Sequence, residues 1–112
     1  KYTKIVAFLD SRYEEITLEY YYFDDRLFFM FEQEKEFLGV KGREIDGVPF
    51  DENKYNLYEN RFYFKDNKMI RWLSESKQSI PSGSFEFILK EATIIKDSQI
   101  YLTLCPQECE EL

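Results

Sequence analysis

Histidine is absent from this chain of 112 residues. Its absence removes the commonest general base, the commonest metal ligand, and every Ser-His or Cys-His pair that activates a nucleophile. Any catalysis would have to rely on carboxylates, lysines or tyrosines. The sequence therefore favours a protein that is not an enzyme, and it supplies no candidate catalytic residue.

Cysteine is scarce as well, since Cys105 and Cys109, in the segment CPQEC, are the only two. Two thiols cannot build a four-ligand zinc site, and their spacing is not that of the CxxC redox motif. A disulfide between them requires the chain to leave the helical conformation, which Pro106 favours. Free thiols fit the same pattern, so the redox compartment stays open.

Acidic side chains are also found in the middle of the chain, but they lack the regular spacing of an EF-hand calcium loop. We interpret them as solvated loop charges and expect no metal site and no cofactor. These residues are Glu44, Asp46, Asp51 and Glu52.

Basic residues are outnumbered, with 15 Lys and Arg against 22 Asp and Glu, a net charge of −7. A chain of this charge repels phosphate backbones and anionic lipid headgroups, so nucleic acid is not an expected partner. A basic protein partner is allowed, although solubility explains the acidity more simply. No apolar run is long enough to span a membrane, and no signal peptide is visible. The chain begins with Lys1 and not with methionine, which is compatible with removal of a leader.

Aromatic residues are abundant, at 19% of the chain, and they concentrate in two similar stretches. The first is YYYFDDRLFFMFE (20–32) and the second is RFYFKDNKMIRWL (61–73). In each, β-forming runs flank a two-residue turn signal, Asp24-Asp25 or Asp66-Asn67, so both are predicted hairpins. The predicted strands are 3–9, 16–23, 26–33, 57–65 and 68–75.

Pairing each hairpin symmetrically about its turn assigns the side chains to two faces, because opposed residues share a side. The expected core face carries Ile16, Leu18, Tyr20, Tyr22, Leu27, Phe29 and Phe31 from the first hairpin, and Asn60, Phe62, Phe64, Met69, Arg71 and Leu73 from the second. The other face carries Thr17, Glu19, Tyr21, Phe28, Met30 and Glu32, with Glu59, Arg61, Tyr63, Ile70 and Trp72. This second face is not cleanly polar.

The remaining segments are a long loop and a helix. Residues 36–56 hold three of the four glycines and no sustained period, which predicts a loop. Residues 84–100 predict a C-terminal helix capped by Ser82 or Ser84. A strand pair turning at KDSQ (96–99) is the alternative. The expected core stripe of the helix is Phe85, Ile88, Leu89, Ala92 and Ile95, and a seven-residue repeat of Phe87, Ile94 and Tyr101 lies roughly opposite, available to a partner or to its own chain.

These elements predict an α+β fold in one domain spanning 1–112, an antiparallel meander of about five strands packed on one C-terminal helix. One helix covers one side of such a sheet, yet both sides carry large rings. We therefore interpret the outer aromatic face as the candidate binding site, formed by Tyr21, Phe28, Arg61, Tyr63 and Trp72. Arg61 is expected to stack on Trp72.

The alternative for this face is that the 36–56 loop or an N-terminal segment covers it. If the face is open, a Trp72→Ala change would cost little stability, whereas burial would make it cost ~3–5 kcal/mol. Aromatic rings beside Arg suit protein interfaces and also the stacking of sugars, so the expected partner is a protein or a glycan.

The pattern EYYYFDDRLFFMFEQ, followed by ENRFYFKDNKMIRWL and a terminal amphipathic helix, resembles uncharacterised secreted or lipoprotein-type domains of gut Bacteroidetes. The resemblance covers most of residues 16–100 and implies an exported protein, periplasmic or on the cell surface, with a lipid anchor upstream of Lys1 as one form of attachment. The expected function is a non-catalytic binding module of the bacterial cell envelope. A small carboxylate-based hydrolase is the alternative.

Overall fold

The computed structural model describes residues 1–104 and the backbone of a short strand near the C-terminus. Cys105 and Cys109, and with them the disulfide hypothesis, lie outside the described residues. The elements in chain order are β1 (Tyr2–Asp10), β2 (Glu14–Phe23), β3 (Arg26–Phe37), β4 (Tyr55–Lys65), β5 (Lys68–Leu73), α1 (Phe85–Leu104) and β6 (Glu110–Glu111). The sheet has the order β5-β4-β3-β2-β1-β6 with antiparallel neighbours throughout. The predicted fold class, a five-stranded α+β meander with one C-terminal helix, is confirmed, and the two-residue β6 extends the sheet.

Both hairpins turn through two non-glycine residues with positive φ. Asp24 and Asp25 have φ of 48° and 65°, and Asp66 and Asn67 have φ of 51° and 61°. Positive φ at both central residues is the geometry of a type I′ turn, whose twist matches that of the flanking strands. Asp and Asn tolerate this left-handed conformation better than other non-glycine residues.

Each hairpin also contains a β-bulge, at the same distance after its turn. In the first hairpin Tyr22 pairs with Leu27 but Tyr21 pairs with Phe29, which leaves Phe28 as the extra residue. In the second, Phe64 pairs with Met69 but Tyr63 pairs with Arg71, which leaves Ile70 extra. The repeat seen in the sequence is thus a turn-and-bulge repeat.

The bulges make the predicted faces wrong beyond the third residue after each turn, because one extra residue moves every later side chain to the opposite face. Pairing that is symmetric about the turn, on which the predicted faces depend, contains no bulge. Expected core residues that instead lie on the outer face are Phe29, Phe31, Arg71 and Leu73, and expected outer residues that lie on the helix side are Met30, Glu32 and Trp72.

The hydrophobic core lies between the sheet and α1. Its fully buried centre is formed by Tyr20, Tyr22, Met30 and Phe62. From the helix, Phe87 and Ile94 are buried against this centre, and Tyr101 packs at its edge. The seven-residue repeat therefore faces the helix's own chain.

The predicted core stripe of the helix is wrong for four of its five residues. Phe85, Ile88, Leu89 and Ala92 are exposed, and only Ile95 packs against the core. The physical reason is that the sheet presents polar groups that need partners. Lys90 Nζ donates to Glu32 Oε2 at 3.0 Å, and the Met69 N–H donates to Glu91 Oε2 at 2.7 Å. The helix side that carries Lys90 and Glu91 supplies those partners.

The start of α1 follows the capping prediction. Ser84 Oγ accepts a hydrogen bond from the Phe87 N–H at 3.3 Å, and its carbonyl accepts one from Ile88 at 3.2 Å. This satisfies N–H groups that the first turn of a helix leaves unpaired. Because α1 continues without a break to Leu104, the alternative of two strands turning at residues 96–99 is wrong.

The segment between β3 and β4 folds over one end of the outer face. It contains a small hairpin in which Ile45 and Val48 exchange backbone hydrogen bonds of 3.0 and 2.9 Å. Phe37, at the end of β3, is buried with its ring 5.2 Å from that of Phe50. Phe37 lies eight residues, or about 26 Å of extended strand, from Phe29. These contacts place the loop away from the rings near the hairpin turns.

Candidate functional site

Six aromatic rings form a continuous row across the outer face, and we call this row the ring ladder. Its members are Tyr2, Phe23, Phe28, Tyr21, Phe29 and Tyr63. Successive ring centroids lie 4.8 Å apart for Tyr2–Phe23, 5.9 Å for Tyr2–Phe28, 6.4 Å for Phe28–Tyr21, 5.5 Å for Tyr21–Phe29 and 5.1 Å for Phe29–Tyr63. The row therefore crosses four strands, from β1 to β4.

Strand register explains how the ladder forms. Tyr2 pairs with Phe23, Tyr21 with Phe29, and Phe29 with Tyr63, so these rings are direct cross-strand neighbours on one side of the sheet. Tilted aromatic pairs at such distances contribute ~0.5–1.5 kcal/mol each. The bulge in β3 adds Phe28, whose ring contacts both Tyr2 and Tyr21. Without the bulge, Phe29 would face the helix and the row would be interrupted.

Cationic side chains stack on the outer rings. The Lys4 Nζ atom lies 5.5 Å from the Tyr21 ring centroid, and Arg71 Cζ lies 5.9 Å from that of Tyr63. Arg61 Cζ lies 5.0 Å from the Phe31 centroid, beside the ladder. Cation–π contacts of this kind hold the cationic groups over the rings. A chain of net charge −7 thus carries three of its cations on its aromatic face.

Glu19 is a carboxylate on this part of the face. It accepts a hydrogen bond from the Tyr21 hydroxyl and lies 3.7 Å from Lys4 Nζ. Partial burial, followed by the hydrogen bond to Glu19, raises the pKa of Tyr21 above its ordinary value. Tyr21 therefore remains a neutral hydrogen-bond donor over the whole physiological range.

The ladder has an exposed end and a half-buried end. Tyr2, Phe23 and Phe28 are exposed, whereas Tyr21, Phe29 and Tyr63 are half-buried by their neighbours. The molecule measures only 20 Å along its shortest axis, the thickness of one sheet and one helix. Apolar patches on the order of a few hundred Å² on an uncovered surface commonly mark interaction sites.

Four of the five residues predicted for the site lie on this face. Tyr21, Phe28 and Tyr63 belong to the ladder, and Arg61 lies beside it on Phe31. Trp72 does not, because the bulge at Ile70 turns it to the helix side. The expected stacking of Arg61 on Trp72 is therefore wrong as well.

Trp72 instead takes part in a hydrogen-bonded chain under the helix. Its Nε1 donates to Asn60 Oδ1 at 2.9 Å, Asn60 Nδ2 donates to Glu32 Oε1 at 3.2 Å, and Glu32 pairs with Lys90. Its ring packs 5.4 Å from that of buried Phe62. A Trp72→Ala change would thus report on packing between sheet and helix, and not on the outer face.

Sequence reasoning missed three members of the ladder. Phe29 was assigned to the core by the symmetric pairing, and Tyr2 lies one residue before the predicted first strand. Phe23 is the last residue before the first turn; it alternates with Tyr21 and so shares its face, but the predicted site does not include it. Alternation gave a usable signal for Phe23, whereas the local sequence gave none for the bulge that places Phe29.

Two other places carry features that a site could use: the loop between β3 and β4, and a group of carboxylates on the helix side of β3. The loop from Leu38 to Lys54 lines one depression of about 200 Å³, and residues 48–54 of the same loop line a second of about 540 Å³. On the helix side of β3, burial and then the neighbouring Glu14, Glu32 and Glu36 raise the pKa of the Glu34 carboxyl. Within the described part of the chain, no group of three or more acidic or cysteine side chains is arranged to hold a metal ion.

Comparison with known proteins gives no relative. No family model, curated protein or solved structure matches the chain. No helix among the described residues is both long and apolar enough to cross a bilayer.

Proposed function

We propose that this domain is a non-catalytic binding module that contacts its partner through the ring ladder. The observation that carries the proposal is the row of six touching rings on the side of the sheet that α1 does not cover. Rings of this kind supply large contact areas with few rotatable bonds, which keeps the entropic cost of binding low.

A protein is the favoured partner class. Tyr and Arg are among the residues that dominate protein interfaces, and both occur here, with Arg71 over Tyr63 and Arg61 over Phe31. Lys4 and Arg61 lie near Glu19 and Glu59 of their own chain, so Arg71, stacked on Tyr63, is the cation that favours an acidic group on the partner. A glycan is the other partner that rings would accept. The proposed place of action, the bacterial cell envelope, rests on the sequence resemblance alone.

A small carboxylate-based hydrolase is the alternative function. The observation in its favour is Glu34, a carboxyl with a raised pKa among other carboxylates, since such groups occur in active sites and also in structural clusters. Loss of a hydrolytic activity in Glu34→Gln, with the fold retained, would support this alternative.

The test of the binding proposal compares two double variants. Tyr2→Ser with Phe28→Ser removes two exposed rings of the ladder, and Phe85→Ser with Ile88→Ser removes two exposed apolar side chains from the far side of α1. We expect the ladder variant to lose capture of partners from an envelope fraction, or of glycans on an array, by at least tenfold. The helix variant should bind as the unchanged chain does. Equal binding by all three proteins, with circular dichroism showing intact folds, would overturn the proposal.

A further inference from the structure

The free side of β1 carries hydrogen-bonding groups at Val6 and Phe8 that point away from β2. At the two ends of the β1–β2 ladder, Lys1 O accepts from the Asp24 N–H at 2.8 Å and the Ser11 N–H donates to Glu14 O at 3.0 Å. Odd-numbered residues of β1 are thus the ones bonded to β2. In an antiparallel ladder the intervening residues direct their N–H and C=O groups away from that neighbour. Val6 and Phe8 therefore direct theirs to the sheet edge.

Only part of this edge is occupied. β6 pairs with Thr3 and Lys4, and among the residues that the structure describes no strand pairs with Val6 to Asp10 on that side. Val6 and Phe8 are 52% and 58% exposed. Natural sheets protect such edges with lysines, prolines or bulges, and the run IVAFL at 5–9 contains none of these.

We propose that β1 pairs with β1 of a second copy of this chain, antiparallel and centred on Ala7. In this register Val6 lies opposite Phe8 of the second copy, and Ile5 lies opposite its Leu9. This register forms two Val6–Phe8 pairs, one on each side of Ala7. In each pair both residues direct their N–H and C=O groups toward the other chain, so each pair exchanges two hydrogen bonds. The side chains of the two Val6–Phe8 pairs are apolar and lie on the outer face, whereas Ile5 lies on the helix side.

Charge selects this register over its neighbours. Lys4 and Asp10 lie three residues on either side of Ala7, so each would meet the opposite charge of the second copy. A register centred on Val6 sets Lys4 opposite Phe8, and one centred on Phe8 sets Val6 opposite Asp10. Both place a charge against an apolar side chain, and opposed pairs of matched character are the more stable. Lys4 and Asp10 also contact Glu19 and Lys41 of their own chain, so the central apolar pairs contribute most.

The twofold axis of such a dimer runs perpendicular to the sheet. The two sheets would join into one, with both ring ladders on the same side. β6 pairs with Lys4, and Asp10 of the second copy would lie at the same position. β6 and the second copy therefore compete for pairing with Lys4. The pairs formed by Val6, Ala7 and Phe8 lie clear of β6.

The first test is the mass in solution. By sedimentation velocity, the mass should rise with concentration from that of one chain, 13.7 kDa, toward twice that value. Val6→Lys should weaken association at least tenfold, because it places a charge against Phe8 of the second copy at an edge. Ile88→Lys, at a side chain that is also 52% exposed but lies on α1, should leave association unchanged. A single-chain mass at millimolar concentration, or equal weakening by both variants, would overturn the proposal.

The second test examines the register, in a full-length background with Cys105→Ser and Cys109→Ser. The two Ala7 residues would form a non-hydrogen-bonded pair, whose Cα atoms lie about 4.5 Å apart, within the range of a disulfide. Ala7→Cys should therefore form covalent dimers under mild oxidation, whereas Val6→Cys should form at least fivefold fewer. Equal or reversed yields would reject the register centred on Ala7.

Discussion

Phe85 and Phe87 offer a direct test of how α1 faces the sheet. They are the same residue type, two positions apart, yet Phe87 is 3% exposed and Phe85 is 77% exposed. Replacing a buried Phe by Ala costs ~3–5 kcal/mol, because the transfer free energy is lost and a cavity remains. Replacing an exposed one usually changes the free energy of unfolding by less than about 0.5 kcal/mol. We therefore expect Phe87→Ala to destabilise the protein severely and Phe85→Ala to be nearly neutral.

Urea unfolding followed by circular dichroism measures this difference. Small domains of this length usually have total stabilities of about 5–15 kcal/mol, so Phe87→Ala removes a large share. In thermal melts the same loss corresponds to roughly 12–20 °C for a chain of about a hundred residues. A similar effect of both variants, or a larger one for Phe85→Ala, would mean that α1 packs through the stripe expected from its apolar pattern, and would refute the helix orientation described above.

Two further predictions concern the second turn and Glu34, whose neighbours are Glu14, Glu32 and Glu36. Asn67→Gly should raise the free energy of unfolding by ~0.5–1 kcal/mol. Glycine adopts the left-handed φ of 61° without the steric cost that a side chain carries. A lower midpoint of urea unfolding would contradict this. Glu34→Gln should stabilise the protein at pH 7 by ~0.2–1 kcal/mol, as expected when a like-charge neighbour is removed. Burial raises the folded-state pKa of Glu34 above its ordinary 4.5, so the ionised form is disfavoured by folding. The stabilisation by Glu34→Gln should be present at neutral pH and disappear as the pH falls through the folded-state pKa of Glu34. The melting temperatures of the two proteins, measured from pH 3 to 8, should therefore become equal at low pH. A difference that persists at low pH would refute the prediction.

The strand order and the turns could be predicted from the sequence because their signals are local. Asp24-Asp25 and Asp66-Asn67 lie between β-forming runs, and such dipeptides fix both the turn type and the pairing of the first residues. Tyr22 and Leu27, next to the first turn, accordingly face the core as expected. The bulges have no such local signal, because Phe28 and Ile70 are ordinary strand residues. One inserted residue in each hairpin then changed the face of every side chain farther along the strand.

The helix orientation could not be predicted for a different reason. Counting apolar residues at helical spacing favours the stripe that starts at Phe85. That count does not consider which polar groups the sheet presents to the helix. The sheet under α1 presents Glu32 and the Met69 N–H, which bond to Lys90 and Glu91. An apolar stripe laid over these groups would have left them without partners, at a cost of ~1–3 kcal/mol for each buried group. The helix side that faces the sheet combines Lys90 and Glu91, which bond to these polar groups, with the apolar repeat of Phe87, Ile94 and Tyr101, which packs on the core.

The bulges also bear on why the outer face is aromatic at all. A bulge sets two neighbouring side chains toward one side of the sheet, and here the added residues, Phe28 and Ile70, are both apolar and exposed. The turn and the register do not require a ring at either position, although the contacts of Phe28 with Tyr2 and Tyr21 add to the stability of the face. The rings of the ladder are held by cross-strand neighbours before any partner arrives, so little side-chain freedom remains to be lost on contact. Because these rings are preordered and lie on the side that α1 does not cover, we propose that side as the binding face.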